Sequence, residues 1–193
     1  MVVLQANGLL TMVTSLTFPK ESRSPALIVV MGVSGSGKTT LGKALAKQLK
    51  CRFLDADDFH STESREHMAS GKPLTDDMRK PWISIICQAL KQYAEGNTPV
   101  ILAFSGLKRI HREPLRHCGL NVIFLHLTGD RETLAQRMLA RIDHFMPPSL
   151  LDSQLDSLEV PIDEEDVFPL TIEMPLKDLV VQAEKLVNQY RNS

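Results

Sequence analysis

The sequence of 193 residues predicts an α/β fold, with helices on both faces of a mostly parallel, five-stranded sheet. Short apolar runs rich in β-branched residues alternate along the chain with segments that repeat apolar residues at helical spacing. A glycine-rich loop joins the first such run to the first such segment. No internal repeat or linker-like stretch divides the middle of the chain. We therefore expect a single domain over residues 25–193, preceded by a flexible N-terminal extension at 1–24.

Composition and charge argue against several classes of protein. The formal net charge of −1 disfavours general affinity for nucleic acid or for an anionic membrane surface. The chain has no apolar span of about 18 residues that could cross a membrane. A secretory or transit peptide would need Lys or Arg near the start of the chain, and none precedes Lys20. Cys51, Cys87 and Cys118 lack C-x-x-C spacing, so neither a disulfide framework nor a zinc site is expected. We expect a cytoplasmic protein with no nucleic-acid or membrane partner.

A phosphate-binding loop is predicted after the first strand, residues 26–31. The sequence there matches the pattern G-x-x-x-x-G-K-[ST] and reads Gly32-Val33-Ser34-Gly35-Ser36-Gly37-Lys38-Thr39. The three glycines let backbone N–H groups turn inward and form a nest for phosphate oxygens at the positive end of the next helix. Lys38 would bridge the β- and γ-phosphates of a nucleoside triphosphate, and the Thr39 hydroxyl would hold Mg²⁺. We predict that this loop and the adjoining Thr40 bind the nucleotide; an ordinary Gly/Ser turn is the alternative.

Three carboxylates follow the second predicted strand, residues 51–55. Asp55, Asp57 and Asp58 are crowded together, which is costly unless a cation or substrate hydroxyls use the charge. Asp57 could accept a proton from a hydroxyl nucleophile, and Asp55 could orient Mg²⁺ through a water molecule. A solvated acidic turn that caps a helix beginning near Ser61 is the alternative.

The next two segments predict a cover over a pocket and then a core helix. Residues 63–80 are polar and interrupted by Gly71 and Pro73, which indicates a short helix and a turn. Apolar residues recur at helical spacing over residues 82–93, and glycine and asparagine close the segment. Trp82 belongs to this apolar stripe, so we predict a core position for it and not a role in stacking on a cofactor.

Basic residues follow the third predicted strand, residues 99–104, on a predicted helix: Lys108, Arg109, His111, Arg112 and Arg116. The strand lacks the terminal aspartate that many hydrolytic nucleoside triphosphatases use as a second metal ligand. Positive charge beyond the carboxyl end of a parallel strand suits an anionic substrate, because α/β folds bind ligands there. A solvated basic face is the alternative, chiefly for Arg112 and Arg116.

The last third of the chain supplies two more strands and two more helices. Residues 122–127 form the fourth strand, in which we expect His126 to be packed. A helix opening near Asp130 follows it. Residues 152–166 are acidic, and the run 163–166 predicts a solvated loop. Residues 167–172 predict the fifth strand, and a closing amphipathic helix follows at 176–190.

Arg137 and Arg141 lie four positions apart on the helix after the fourth strand. Both guanidinium groups would point the same way and could clamp the transferring phosphoryl group. An exposed helix with paired arginines is the alternative. Residues 143–148 then break the helix and look like a hinge into a mobile lid, which we place at about 141–162.

Several segments resemble the small bacterial-type gluconokinases, a family of P-loop kinases of the shikimate and nucleoside monophosphate kinase type. The matching segments are MGVSGSGK at 31–38, FLDADDFH at 53–60, MASGKPLTDD at 68–77 with RKPW at 79–82, SGLK at 105–108 and HF at 144–145. The second and third are the most specific. The resemblance implies the P-loop kinase fold, ATP- and Mg²⁺-dependent phosphorylation of D-gluconate to 6-phospho-D-gluconate, and a homodimer.

With this resemblance in view, our hypothesis assigns roles to individual residues. Asp57 would align or deprotonate the substrate hydroxyl, and Arg137 and Arg141 would close over the phosphates. Candidates for binding the carboxylate and hydroxyls of the substrate are Lys108, Arg79, His60 and His144. The chain departs from the family pattern in its substrate-facing and lid segments, at Ser61, Ser64, His67, Gly106, Asp143 and Leu155.

Two other functions stay open at this point. The first is a kinase of the same fold that acts on another small hydroxy acid, such as a shikimate-like acid, or on a nucleotide. The second is a nucleotide-dependent regulatory switch. The sequence lacks the N-K-x-D motif that reads guanine and lacks a metal aspartate after the third strand, and both absences disfavour the switch.

Overall fold

The computed structural model describes residues 26–140 and 150–191. The strands in these residues form one parallel sheet. Its strands are β1 (Ala26–Met31), β2 (Arg52–Asp55), β3 (Val100–Phe104), β4 (Asn121–Thr128) and β5 (Val167–Thr171). Every pairing between neighbouring strands is parallel, and the order across the sheet is β2-β3-β1-β4-β5. The predicted α/β fold with a five-stranded parallel sheet is confirmed.

Helices connect the strands on both faces of the sheet. They are α1 (Lys38–Leu49), α2 (Thr62–Ala69), α3 (Asp76–Glu95), α4 (Arg109–Arg116), α5 (Arg131–Leu139), α6 (Leu150–Asp156) and α7 (Leu176–Arg191), with a 3₁₀ helix at Ala56–Phe59. The side chains of Ser61, Thr75 and Asp130 begin α2, α3 and α5 by accepting a hydrogen bond from a backbone N–H of the first turn. No helix in the part of the chain described here has the length and apolar character needed to cross a membrane.

The core lies on both faces of β1, whose residues are all buried. Ile28 and Val30 point to one face and belong to a cluster with apolar residues of α1, α5 and α7. Leu27 and Val29 point to the other face and pack among residues of α3 and α4. Burial on both faces explains why the central strand is an unbroken apolar run and does not alternate with polar residues.

The strand order brings the predicted functional segments to one edge of the sheet. β1 is central, and the chain passes from it to β2 on one side and later to β4 on the other, so the loop after β1 lies where the strand order reverses. Ligands of open α/β sheets bind at this position, beyond the carboxyl ends of the strands. The backbone N–H of Gly32 donates to the carbonyl of Ser105 at 3.2 Å, which joins the loops after β1 and β3.

The segment between β4 and β5 differs from expectation. We described residues 152–166 as acidic and placed no helix there, whereas α6 forms at the start of this segment because Leu150, Leu151 and Gln154 bury one side of a short helix. The run 163–166 is not a fully solvated loop, since the side chain of Glu164 is only 5% exposed. The N-terminal extension at 1–24 and the first part of the predicted lid, 141–149, lie outside the described residues.

Candidate active site

The loop between β1 and α1 is held in a shape that requires glycine. Gly32 and Gly35 have φ angles of 145° and 82°. A Cβ atom on Gly32 would lie 2.8 Å from the carbonyl oxygen of Leu127, and one on Gly35 would lie 2.7 Å from that of Leu134. The loop therefore packs closely against the end of β4 and against α5. Gly37 precedes α1 without a side chain to cap it, which leaves backbone N–H groups at that helix end for an anion.

Asp55 links the predicted metal ligand to the predicted base. Its Oδ2 accepts a hydrogen bond of 2.8 Å from the Thr39 hydroxyl, and its Oδ1 accepts one of 3.2 Å from the backbone N–H of Asp57. The second bond also begins the 3₁₀ helix that carries Asp57. A hydroxyl and a carboxylate are oxygen ligands of the kind that Mg²⁺ takes, so Thr39 and Asp55 fit the predicted metal site. Lys38 lies over the loop, and its Nζ donates to the Val33 carbonyl at 3.0 Å.

One cavity of about 380 Å³ brings together most of the predicted catalytic and acceptor-binding residues. We call it the acceptor cavity; Lys38, Asp57, His60, Arg79 and Lys108 all line it. These residues come from α1, from the segment after β2, from α3 and from the loop after β3. Their shared cavity follows from the parallel sheet, because the carboxyl ends of its strands meet at one edge. The predicted substrate residue His144 lies outside the described residues.

His60 is held in the wall of this cavity by stacking. Its ring lies 4.3 Å from that of Trp82, with 14° between the ring planes. Trp82 is buried and donates from Nε1 to the Ala56 carbonyl at 2.7 Å, which confirms its predicted core position. Burial, with further contributions from Arg79 and Arg65, lowers the pKa of His60 to about 4. The imidazole is therefore neutral near pH 7 and can either donate or accept a hydrogen bond.

A cluster of charged side chains forms the far wall of the acceptor cavity. Lys108 Nζ donates to Asp76 Oδ2 at 2.7 Å, and His111 Nε2 lies 3.2 Å from Asp76 Oδ1. The hydrogen bond from Lys108 is the main cause that lowers the pKa of Asp76. Arg79 donates from Nε to the Leu74 carbonyl at 3.3 Å, and burial lowers the pKa of its guanidinium. Sequence reasoning gave Asp76 no role, although this residue lies within the quoted segment 68–77.

A second cavity of about 330 Å³ lies on the other side of the phosphate loop. Gly35, Gly37 and Thr40 line it from the loop side, and apolar residues near β5 and α7, among them Ile172 and Met174, line the opposite side. Arg137 also lines this cavity and donates from Nη2 to the Ile172 carbonyl at 2.9 Å. Arg141, its predicted partner in a phosphate clamp, lies outside the described residues.

Arg112 and Arg116 have neither of the two roles expected for them. Arg112 is buried, pairs with the carboxylate of Glu164 and donates from Nη1 to the Gly106 carbonyl at 2.6 Å. Arg116 bonds Glu164 at 2.6 Å and Asp166 at 2.7 Å. Because Glu164 and Asp166 are far away in sequence, local charge patterns could not reveal these pairs. The two arginines attach the chain before β5 to α4 and neither contact the acceptor cavity nor form a solvated face.

Sequence reasoning also missed Gln154, a residue of α6. Its Oε1 accepts a hydrogen bond of 2.7 Å from the backbone N–H of Ser34, and it lines the acceptor cavity. No local signal marks a glutamine for such a contact, since the acceptor oxygen meets a loop 120 positions earlier in the chain.

Comparison with known proteins assigns the family. A family model described as shikimate kinase matches residues 34–166. A probable gluconokinase of Dictyostelium discoideum is 44% identical over 151 residues, covering 75% of this chain and 76% of its own length. The gluconokinase of Gluconobacter oxydans is 40% identical over 167 residues, covering 86% and 92%. The thermoresistant gluconokinase of Escherichia coli is 37% identical over 164 residues, covering 84% and 94%.

Solved structures agree with these relatives. The crystal structure of a gluconokinase from Sinorhizobium meliloti is 39% identical and covers 88% of this chain and 98% of its own, with a TM-score of 0.75. An unliganded sugar kinase from a Janibacter species is 40% identical, with coverage of 85% and 95% and a TM-score of 0.80. The fold, the phosphate loop and the identity over most of the chain agree: the chain belongs to the shikimate kinase family and, within it, to the gluconokinases.

Proposed function

We propose that the protein transfers the terminal phosphoryl group of ATP to D-gluconate and releases 6-phospho-D-gluconate. One observation carries this proposal beyond the family assignment: Lys38 of the phosphate loop and the carboxylate of Asp57 line the same cavity as the cations Arg79 and Lys108. A kinase of a small acid needs these three features together, because the donor phosphate, the attacking hydroxyl and the acid group of the acceptor must be held at once.

For the donor, we propose that ATP lies across the phosphate loop. The apolar cavity beside Ile172 and Met174 would take the base, and the loop amides would take the phosphates. Lys38 would exchange the Val33 carbonyl for phosphate oxygens, and Arg137 lies beside the path of the nucleotide. Thr39, with Asp55 acting through water, would hold Mg²⁺, which supplies positive charge against the β- and γ-phosphates.

For the acceptor, we propose that Asp57 aligns the terminal hydroxyl of gluconate and receives its proton as the oxygen attacks the γ-phosphorus. The bond between Asp57 N–H and Asp55 fixes the backbone of Asp57, and its side chain is 38% exposed and therefore accessible. His60 lies beside it, with Nε2 at 3.9 Å from Asp57 Oδ1. A neutral imidazole there can bond a second substrate hydroxyl without competing for the proton.

The carboxylate of gluconate is assigned to Arg79 by charge balance. Lys108 already has a carboxylate partner in Asp76, whereas Arg79 forms no ion pair with a carboxylate of the described residues. A planar guanidinium also binds a carboxylate in two places at once. Lys108 and Asp76 together offer a donor and an acceptor, which suits the hydroxyl groups of the sugar-acid chain.

The remaining expectations are proposals that need their own experiments. We propose that the protein is cytoplasmic and forms a homodimer. Each chain would have a single kinase domain over residues 25–193 and an extension at 1–24. We also propose that a lid at about 141–162 carries Arg141 and His144 over the substrates. Light scattering of the purified chain tests the dimer, and protection of this segment from protease by ATP and gluconate tests the lid.

The decisive experiment is an acceptor panel with labelled ATP. We expect D-gluconate to be phosphorylated at the highest kcat/KM among sugar acids, shikimate and nucleoside monophosphates. The match to the shikimate kinase family model makes a shikimate-like acid the second candidate, and a clear preference for shikimate would replace our proposal with that one. ATP turnover that does not depend on any acceptor would instead favour the regulatory switch.

A further inference from the structure

A hydrogen bond between α6 and the phosphate loop is not explained by the roles assigned so far. The N–H of Ser34 donates to Gln154 Oε1 at 2.7 Å, and the two residues are 5% and 8% exposed. Leaving a buried amide without a partner is costly, so this bond stabilises the position of the loop. It reaches the loop at Ser34, on the side that lines the acceptor cavity.

The other contacts of α6 show what this bond connects. Leu150 packs in a small cluster with Met68 of α2 and with Leu74, which precedes α3. Asp152 forms a surface ion pair of 2.7 Å with Arg131 of α5. The helix is therefore fixed at one end to the wall of the acceptor cavity, and through Gln154 to the loop that we propose holds the donor.

The side of α6 that carries Gln154 also faces the acceptor. Ser153, Gln154 and Ser157 line the acceptor cavity together with Asp57. The Ser157 hydroxyl is held by the Ser153 carbonyl at 2.7 Å, which orders this wall. The Gln154 side chain thus links the wall of the acceptor cavity to the phosphate loop.

We propose that Gln154 is a positioning residue for phosphoryl transfer, a role that rests on the proposed function. By holding the Ser34 amide, Gln154 fixes the acceptor-facing end of the phosphate loop relative to the acceptor wall. Residues 35–37 line the second cavity, on the other side of the loop, and Lys38 begins α1, so we expect their amides to keep their positions without this bond. Gln154 therefore sets the approach of hydroxyl and phosphate and contributes little to holding ATP.

The test replaces Gln154 with methionine, which has a similar length but whose thioether sulfur is only a weak acceptor for the Ser34 N–H. We expect kcat with gluconate to fall about 10- to 100-fold, because small misplacements of reacting groups are costly, while the dissociation constant for ATP changes less than about threefold. The matched control is Asp152→Ala, which also removes a contact of α6 but does not reach the loop. It should retain kcat within about twofold.

The outcomes separate this inference from the proposed function. Loss of gluconate turnover in the unsubstituted chain overturns the proposed function. Normal kcat in Gln154→Met, an equal loss in Asp152→Ala, or a fall in ATP affinity as large as the fall in kcat overturns the role of Gln154. If Gln154→Met does not fold, hydrogen exchange in the unsubstituted chain decides: we expect the Ser34 amide to be protected, and unprotected exchange overturns the proposal.

Discussion

The hydroxyl of Thr39 donates a 2.8 Å hydrogen bond to Oδ2 of Asp55, whose other oxygen accepts the backbone N–H of Asp57 at 3.2 Å. One carboxylate therefore fixes the orientation of the proposed metal ligand and the backbone of the proposed base. A substitution of Asp55 should therefore affect both the dependence on Mg²⁺ and the rate of phosphoryl transfer. A substitution of Thr39 should affect mainly the dependence on Mg²⁺, and one of Asp57 mainly the rate.

Asp55→Asn tests this link. Asparagine can still accept the Asp57 N–H with its oxygen, but its amide nitrogen can only donate to the Thr39 hydroxyl, so the direction of that bond is reversed and the negative charge near the metal site is lost. We expect turnover to fall about 10- to 100-fold and the Mg²⁺ concentration for half-maximal rate to rise. A Mg²⁺ titration of the initial rate measures both effects. Asp58→Asn, a change at the exposed neighbouring carboxylate, is the control and should leave both unchanged; an unaltered Mg²⁺ dependence in Asp55→Asn would remove Asp55 from the metal site.

Asp57→Asn tests the base itself. The amide keeps the shape of the side chain but cannot take a proton, so turnover should fall about 10²- to 10⁴-fold while ATP affinity stays nearly intact. Steady-state rates and direct nucleotide binding supply the two measurements. Turnover at the unsubstituted rate would show that Asp57 is not the base and would leave His60 as the nearest titratable neighbour to test.

The sequence alone predicted the strands and the phosphate loop, because each of them depends on residues that are neighbours in the chain. The apolar run at β1 and the glycines of the phosphate loop have backbone demands that show directly in the sequence. The roles of Arg112, Asp76 and Gln154 do not show there. Each depends on a partner supplied by another segment, namely Glu164, Lys108 and the Ser34 amide. Such pairings exist only once the sheet has set the positions of the loops.

The state of His60 predicts a dependence of stability on pH. Because its pKa is lowered from 6.5 to about 4, the unfolded chain binds this proton more readily than the folded chain does. The stability that the folded protein gains by keeping His60 neutral is therefore fully present above about pH 6.5. It is lost as the pH falls towards 4. Free energies of unfolding measured at pH 7 and pH 5 should show a steeper loss for the unsubstituted chain than for His60→Gln. An NMR titration of the imidazole with a midpoint near 6.5 would contradict this prediction.

Arg79 and Lys108 should differ in how strongly they bind gluconate, because only Lys108 is paired with a carboxylate among the described residues. Arg79→Met removes the cation to which we assign the carboxylate of gluconate, so the KM for gluconate should rise about 100-fold. Lys108→Met removes a charge that Asp76 already balances, and the KM should rise less, by about 10-fold. Initial rates over a range of gluconate concentrations at saturating ATP give both values. A larger effect at Lys108 than at Arg79 would reverse the proposed orientation of the substrate.

Breaking the buried pair of Arg112 and Glu164 by changing one partner should cost more stability than breaking an exposed pair. Their side chains are 1% and 5% exposed, and burial works to raise the pKa of Glu164, yet hydrogen bonds from Arg112 and Arg116 outweigh it and lower that pKa. Arg112→Met leaves the carboxylate buried with Arg116 alone, so we expect a loss of about 3 kcal/mol, at the lower end for a broken buried pair. Urea denaturation measures it. Arg131→Met, which breaks an exposed pair with Asp152, should leave the free energy of unfolding nearly unchanged. The double change Arg112→Met with Glu164→Leu should recover part of the loss, because it removes the buried carboxylate; equal losses in Arg112→Met and Arg131→Met would contradict this account.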